Sequence, residues 1–256
     1  MGQLEIKELD LNFGGLQVLY NIDISVEAGS FYAIIGPNGA GKTSLLNCIS
    51  GLYTPSRGKI IFKGHEIQKL KPHHISSLGI SRVFQNIELF RHITVMDNLL
   101  LGRHRLMKTG VISGSLYFGK SLSNEIEHRE RVEEIIEFLE LENHRKKVVG
   151  NLPYGIQKRV ELGRALAGEP KLLLLDEPIT GMNVEEKEEM ARFIMEIRAE
   201  MDLIVLIVEH DMSFVMDLAE KISVLDFGYK IAEGLPKEIQ KDQRVIEAYL
   251  GMEQGG

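Results

Sequence analysis

Chemistry concentrates first in Gly36, Gly41, Lys42 and Thr43, which stand in a G-x-x-x-x-G-K-[ST] spacing within Gly36-Pro37-Asn38-Gly39-Ala40-Gly41-Lys42-Thr43-Ser44. A loop of this spacing turns its backbone N–H groups inward onto a polyphosphate, and glycines keep side chains out of the way. The apolar run Phe31 to Ile35 predicts a buried strand before the loop, and Thr43 to Ser50 predicts a helix after it. The amino end of that helix adds partial positive charge where the anion sits. Lys42 is placed to reach β- and γ-phosphates, and the Thr43 hydroxyl to ligate Mg²⁺. The stretch reads as a nucleoside-triphosphate site.

A second set of reactive groups closes the run Leu172-Leu173-Leu174-Leu175-Asp176-Glu177. Four leucines without polar alternation suit a parallel strand covered on both faces. Asp176 at its end is expected to hold Mg²⁺ through water, and Glu177 to polarise the attacking water. His210 follows the next apolar run, Leu203 to Glu209, and is placed for the γ-phosphate. Phe13 and Val18 precede the phosphate loop and are expected to stack on or flank a nucleotide base.

These groups need a scaffold. Leu4 to Phe13 and Gly15 to Val26 predict antiparallel strands, Lys59 to Gly64 a short strand and turn, and Pro72 to Ser77 a helix. Ile80 to Gln85 reads as a strand ending in glutamine, and Thr94 to Leu101 as a helix. Gly102 to Ser123 lacks periodicity and reads as an extended loop. Asn124 to Glu142 reads as an amphipathic helix with Ile126, Val132, Ile135, Ile136 and Leu139 at helical spacing and a solvated charged face. Glu185 to Met201 predicts a helix, Ile222 to Ala232 a hairpin, and Pro236 to Leu250 a closing helix. Alternation of strands and helices predicts an α/β fold with a doubly wound, mainly parallel sheet whose ligand sits at the strands' carboxyl ends. The chain, 1–256, is expected to be one domain: 1–85 and 166–256 form the core with an antiparallel β subdomain, and about 86–165 an inserted helical subdomain.

Composition narrows the function. Net charge is −7, which argues against a general nucleic-acid binder. The single cysteine, Cys48, excludes an internal disulfide and is expected to be a packed thiol. No signal peptide or membrane-spanning run is visible.

Together these residues resemble the ATP-binding subunit of ABC transporters, and the resemblance covers nearly the whole chain. It implies a P-loop NTPase core binding ATP and Mg²⁺. Gly36 to Ser44 then matches the Walker A loop, and Leu172 to Glu177 Walker B with its catalytic glutamate. Phe13 matches the base-stacking aromatic, His210 the switch histidine, and Gln85 the glutamine that senses the γ-phosphate and Mg²⁺. Leu152-Pro153-Tyr154-Gly155-Ile156-Gln157 falls at the signature stretch, with Tyr154 and Gly155 as its nucleotide-contacting residues. Family subunits pair head to tail with an ATP between one Walker A loop and the other's signature helix. Two departures stand out. Pro153 and Ile156 replace the serine and glutamine of Leu-Ser-Gly-Gly-Gln, and Asn183 in Gly181-Met182-Asn183 replaces an aspartate. Proline has neither hydroxyl nor N–H to offer the partner's phosphate, so weak turnover is expected.

Within the family the likeness is to branched-chain amino-acid importers, which implies uptake of branched-chain amino acids or related small amides. It is carried by Phe13-Gly14-Gly15-Leu16, Tyr154-Gly155, Pro178 to Asn183, the 102–123 stretch and Val245 to Gly251. It implies transmembrane permease subunits and a second ATPase subunit, identical or different, with a solute-binding protein beyond them. It also implies a place at the cytoplasmic face of the cell membrane. Ile87, Leu89 and Phe90 are expected either to receive the permease or to be core. A lipid or lipopolysaccharide exporter subunit and a soluble, non-transport ATPase of the same family remain open alternatives.

Overall fold

The computed structural model describes residues 3–106 and 118–253. In chain order the strands are β1 (Leu4–Phe13), β2 (Leu16–Val26), β3 (Phe31–Ile35), β4 (Arg57–Phe62), β5 (His65–Glu66), β6 (Ile80–Val83), β7 (Leu172–Asp176), β8 (Ile204–Val208), β9 (Lys221–Asp226) and β10 (Tyr229–Gly234). The helices are α1 (Lys42–Ile49), α2 (Pro72–Ser77), α3 (Val95–Gly102), α4 (Phe118–Phe138), α5 (Tyr154–Ala167), α6 (Val184–Met201), α7 (Met212–Leu218), α8 (Pro236–Ile239) and α9 (Gln243–Glu253). The chain divides into two compact units: Met1–Arg82, Lys171–Pro178 and Ile194–Gly256 form one, and Val83–Pro170 with Ile179–Phe193 the other. The second unit thus takes in 179–193, which the sequence assigned to the core.

The first unit holds both sheets. One has the order β2-β1-β4-β5 and is antiparallel, and the other runs β10-β9-β3-β8-β7-β6. In the larger sheet β3 pairs parallel with β8 and β9, β7 pairs parallel with β8, and β10 returns antiparallel to β9. Strands β3, β7 and β8 are buried at every position, as expected where crossover helices cover both faces. A continuous apolar cluster runs from Leu4, Ile6 and Leu19 of the antiparallel sheet through Leu45, Leu46 and Cys48 of α1 to Leu174 and Leu206 of the larger sheet. Each such side chain contributes roughly 1.5–3 kcal/mol by leaving water. This α/β arrangement is that of a P-loop NTPase.

Register is what makes the site. Ile34 of β3 and Asp176 of β7 both lie opposite Val208 of β8. The phosphate loop and the acid pair therefore leave the sheet at one level, although 133 residues separate Thr43 from Asp176.

The second unit is mostly helical. Thr94 opens α3, its hydroxyl accepting from the Asp97 N–H. Val132 and Ile136 are buried along one face of α4 and Leu139 just past its end, whereas Ile126 is half exposed.

Several expectations needed correction. Helix α4 begins at Phe118, inside the stretch read as a loop; residues 107–117 of that stretch lie outside the described residues. It ends at Phe138 rather than Glu142, because Glu140 takes a left-handed φ of 56° that stops helix propagation. The C-terminal helix is two helices, since the Asp242 carboxylate accepts from the Arg244 N–H and starts α9 afresh. Strand β6 stops at Val83, two residues short of Gln85. Of the two places left open for Leu89, permease surface or core, it takes the core. The N–H groups on either side, of Glu88 and Phe90, donate to Glu161 Oε1 and Asn98 Oδ1 and turn its side chain inward.

Candidate functional site

The phosphate loop runs from the end of β3 into α1, and the protein packs tightly behind it. Gly36 has φ 147°, and a Cβ built there would lie 2.0 Å from the Leu225 carbonyl oxygen, so only glycine fits. The β9–β10 turn ties in from behind, with the Gly228 N–H donating to Ala40 O. Lys42 is buried, and its Nζ donates to Gly36 O at 2.8 Å and Pro37 O at 2.9 Å. The ammonium thus lies folded into its own loop. Burial is the largest influence on it and draws it below the ordinary lysine range, against the opposing pull of Glu177, Asp176 and Glu209.

The acids stand beside the loop. Thr43 Oγ1 donates to Asp176 Oδ1 at 3.2 Å, which brings together the hydroxyl and carboxylate expected to hold Mg²⁺. Glu177 is nearly buried, and its N–H donates to Val208 O, so β8 pins the residue. Its φ is 46°, left-handed for a residue with a Cβ, which stores backbone strain at the strand end. His210 Nδ1 lies 3.5 Å from Glu177 Oε2 and 3.8 Å from Glu209 Oε2, and the His210 ring is half exposed. The first unit therefore gathers Lys42, Thr43, Asp176, Glu177 and His210. Oxygen donors at Thr43 and Asp176 fit a hard cation that keeps most of its other ligands from water and phosphate.

Of the base-contacting candidates, Phe13 is 45% exposed and meets Tyr53 edge-on at 4.9 Å. Val18 is partly buried against the core cluster.

Gln85, Tyr154 and Gly155 belong to the second unit. Gln85 is exposed, and its carbonyl accepts from Lys158 Nζ at 2.7 Å. Tyr154 opens α5 and donates its hydroxyl to Thr180 O at 3.0 Å. A Cβ on Gly155 would lie 2.2 Å from Glu186 Oε1, so a carboxylate already rests against this glycine. Glu186 also accepts from the Asn183 N–H, while Asn183 Oδ1 accepts from the Glu186 N–H. This reciprocal pair is a capping box at the start of α6, a task for which asparagine serves as well as aspartate. Ile87 lines a cavity of about 390 Å³ with Asn86, Arg91, Gly150, Tyr154 and Gln157, and Phe90 is 59% exposed.

Three features, two buried ion pairs and one buried acid, were missed in the sequence. Arg82 forms a buried ion pair with Asp176 at 2.7 Å. Lys158 and Glu161 form a second buried pair at 3.5 Å, which also holds the backbone of Phe84, Gln85 and Glu88. Their spacing of three on one helix was the available signal. Glu209, fully buried at the end of β8, is the third.

A phosphate loop at the carboxyl edge of a parallel sheet, with acids on the neighbouring strand, defines a P-loop nucleoside triphosphatase. The ABC transporter family model matches residues 19–180, and a model described as branched-chain amino acid ATP-binding cassette transporter matches residues 230–251. Similar curated proteins include the high-affinity branched-chain amino acid transport ATP-binding protein BraF of Pseudomonas aeruginosa, 38% identical over 97% of each chain. LivG of Escherichia coli K12, of the same description, is 36% identical over 97% of each. Among solved structures, the ADP conformation of MJ1267, an ATP-binding cassette of an ABC transporter, superposes with TM-score 0.85 at 32% identity, covering 98% of this chain and 99% of that one. A nucleotide-free ATP-binding cassette from an ABC transporter gives 0.84 at 32% identity, covering 97% and 99%. The chain belongs to the ABC transporter ATP-binding family, an ATPase family. Among the described residues no helix is long and apolar enough to cross a membrane.

Proposed function

We propose that this chain binds and hydrolyses ATP to power import of branched-chain amino acids through permease subunits in the membrane. The observation that carries the reading is likeness at both levels. The nucleotide-binding body matches the family, and residues 230–251, outside the catalytic edge, match the branched-chain group. The Lys42 ammonium exchanges its loop carbonyls for the β- and γ-phosphates, whose negative charge it offsets. Thr43 and Asp176 would hold Mg²⁺, which would supply positive charge beside the phosphates when bound. Glu177 orients water for attack, and His210 beside it contacts the γ-phosphate. Gln85 senses the occupied site, and the cleft by Ile87 with exposed Phe90 receives the permease. A second ATPase subunit presents Tyr154 and Gly155 to the nucleotide in turn. Pro153 keeps turnover low, and the complex works at the cytoplasmic face.

The test is a mild-detergent pull-down of tagged chain from its native membranes, with uptake of labelled leucine followed in cells carrying Glu177→Gln. Recovery of polytopic subunits and loss of leucine uptake are expected. Recovery only from the cytosol, or uptake unchanged by the substitution, overturns the transport reading and leaves the ATPase core standing.

A further inference from the structure

Arg82 sits on β6, the strand that flanks β7 in the larger sheet, and its guanidinium is nearly buried. Nη2 donates to Asp176 Oδ2 at 2.7 Å. Nη1 donates to Asn47 Oδ1 at 2.6 Å and to Ser50 Oγ at 3.0 Å, at the last turn of α1. Ser50 Oγ passes its own proton to Leu46 O at 2.9 Å. The two oxygens of Asp176 therefore have separate duties, for Oδ1 accepts from Thr43 Oγ1 while Oδ2 belongs to Arg82.

A carboxylate at the end of a strand turns about its terminal bond over a broad range of angles. Arg82 removes that freedom. Its planar fork is anchored at one nitrogen by two oxygens of α1 and points the other at a single carboxylate oxygen. Because α1 begins at Lys42 and Thr43, the anchor is referred to the helix that carries the phosphate-contacting residues. A cation at the carboxyl end of α1 also offsets the helix dipole there, so the guanidinium charge is shared rather than concentrated on Asp176. Lysine, with one nitrogen, cannot hold Asn47, Ser50 and Asp176 in this geometry.

We propose that Arg82 is a positioning residue for Mg²⁺, fixing Asp176 so that Oδ1 faces the cation beside Thr43. The inference rests on the reading of Thr43 and Asp176 as the metal-holding pair. Groups that orient a metal ligand from behind typically change metal affinity by about 10–100-fold when removed.

The test uses the full chain with Glu177→Gln to halt hydrolysis and a fluorescent ATP analogue as probe. Binding is measured in EDTA and across a range of free Mg²⁺. Arg82→Lys and Arg82→Gln are expected to keep the EDTA affinity within about twofold while the Mg²⁺-dependent gain falls about tenfold or more. Asn47→Ala, which leaves the Arg82 charge on Asp176 but loosens its anchor, should shift the gain in the same direction by less. It carries the test if the Arg82 variants do not fold, as circular dichroism will show. Asp176→Asn separates the two levels of argument. If it abolishes the gain while the Arg82 and Asn47 variants keep theirs, the positioning role is wrong and the metal site stands. If Asp176→Asn keeps the full gain, the metal reading fails and this inference with it. A larger gain in Arg82→Lys would make Arg82 a competitor of the cation and overturn the proposal.

Discussion

Replacing Pro153 by serine alters stability and catalysis by separable amounts. Pro153 is the N-cap of α5 at φ −53° and ψ 153°, and no side chain caps the helix there. Serine adopts these angles without strain, and its oxygen accepts from an N–H of the first turn, a cap worth about 1 kcal/mol. Freeing the proline ring costs back about 0.4–1 kcal/mol through the unfolded chain. The net gain is then about 0–0.6 kcal/mol, or a rise of at most about 2 °C in Tm for a chain of this size. The hydroxyl proton remains free for the partner's γ-phosphate. A hydrogen bond to a charged group is worth about 1.5–3 kcal/mol, a factor of about 10 to 150 in closing one nucleotide sandwich. A homodimer would carry the change at both sites. The assay is ATP-dependent dimerisation of the Glu177→Gln protein by analytical ultracentrifugation, with and without Pro153→Ser, beside steady-state hydrolysis in the parent background. Tighter dimerisation by tenfold or more and faster turnover are expected. A small rise in Tm with dimerisation and turnover unchanged would show that Pro153 does not limit closure, and would refute the reasoning.

Lys158→Met removes the nearest cation from buried Glu161, whose carboxyl burial already pushes above the usual range, and should cost about 3–5 kcal/mol, read by urea unfolding. Gly36→Ala forces a Cβ onto the Leu225 carbonyl, so nucleotide binding should be lost or the yield of folded protein fall sharply; near-native ATP affinity would contradict the packing described. Burial pushes the Cys48 thiol up to about 12, so it should stay unreactive to a thiol reagent at pH 8 in the folded protein and react at once in denaturant.

Elements whose signal is local were legible in the sequence. The glycine spacing of the phosphate loop and the unbroken apolar runs at Phe31 and Leu172 announce their structures within a few residues. Helix limits were less so, because the stop after α4 depends on one left-handed glutamate, Glu140, that leaves no mark on periodicity. Leu89 reads equally as surface or core until the hydrogen bonds beside it are known. Arg82 was invisible for another reason. Its partner lies 94 residues away, and only the placing of β6 beside β7 brings them together. Asn183 looked like a lost charge when read against a motif, and in three dimensions it is half of a capping box.

The left-handed backbone of Glu177 has a bearing on how this lineage changes over time. A glycine there would relax the strain and leave the chain equally or slightly more stable, by about 1 kcal/mol or less once its greater freedom in the unfolded chain is counted. Selection for folding alone thus gives no reason to retain a glutamate at this point. In a duplicated copy released from hydrolysis, a change to glycine at 177 should arrive early and without a stability penalty, ahead of changes at Lys158 or Gly36, which the fold itself polices. On the role proposed for Glu177, a glutamate that persists there would accordingly mark continuing turnover, and in a paired complex of unlike cassettes it would distinguish the working member from the passive one.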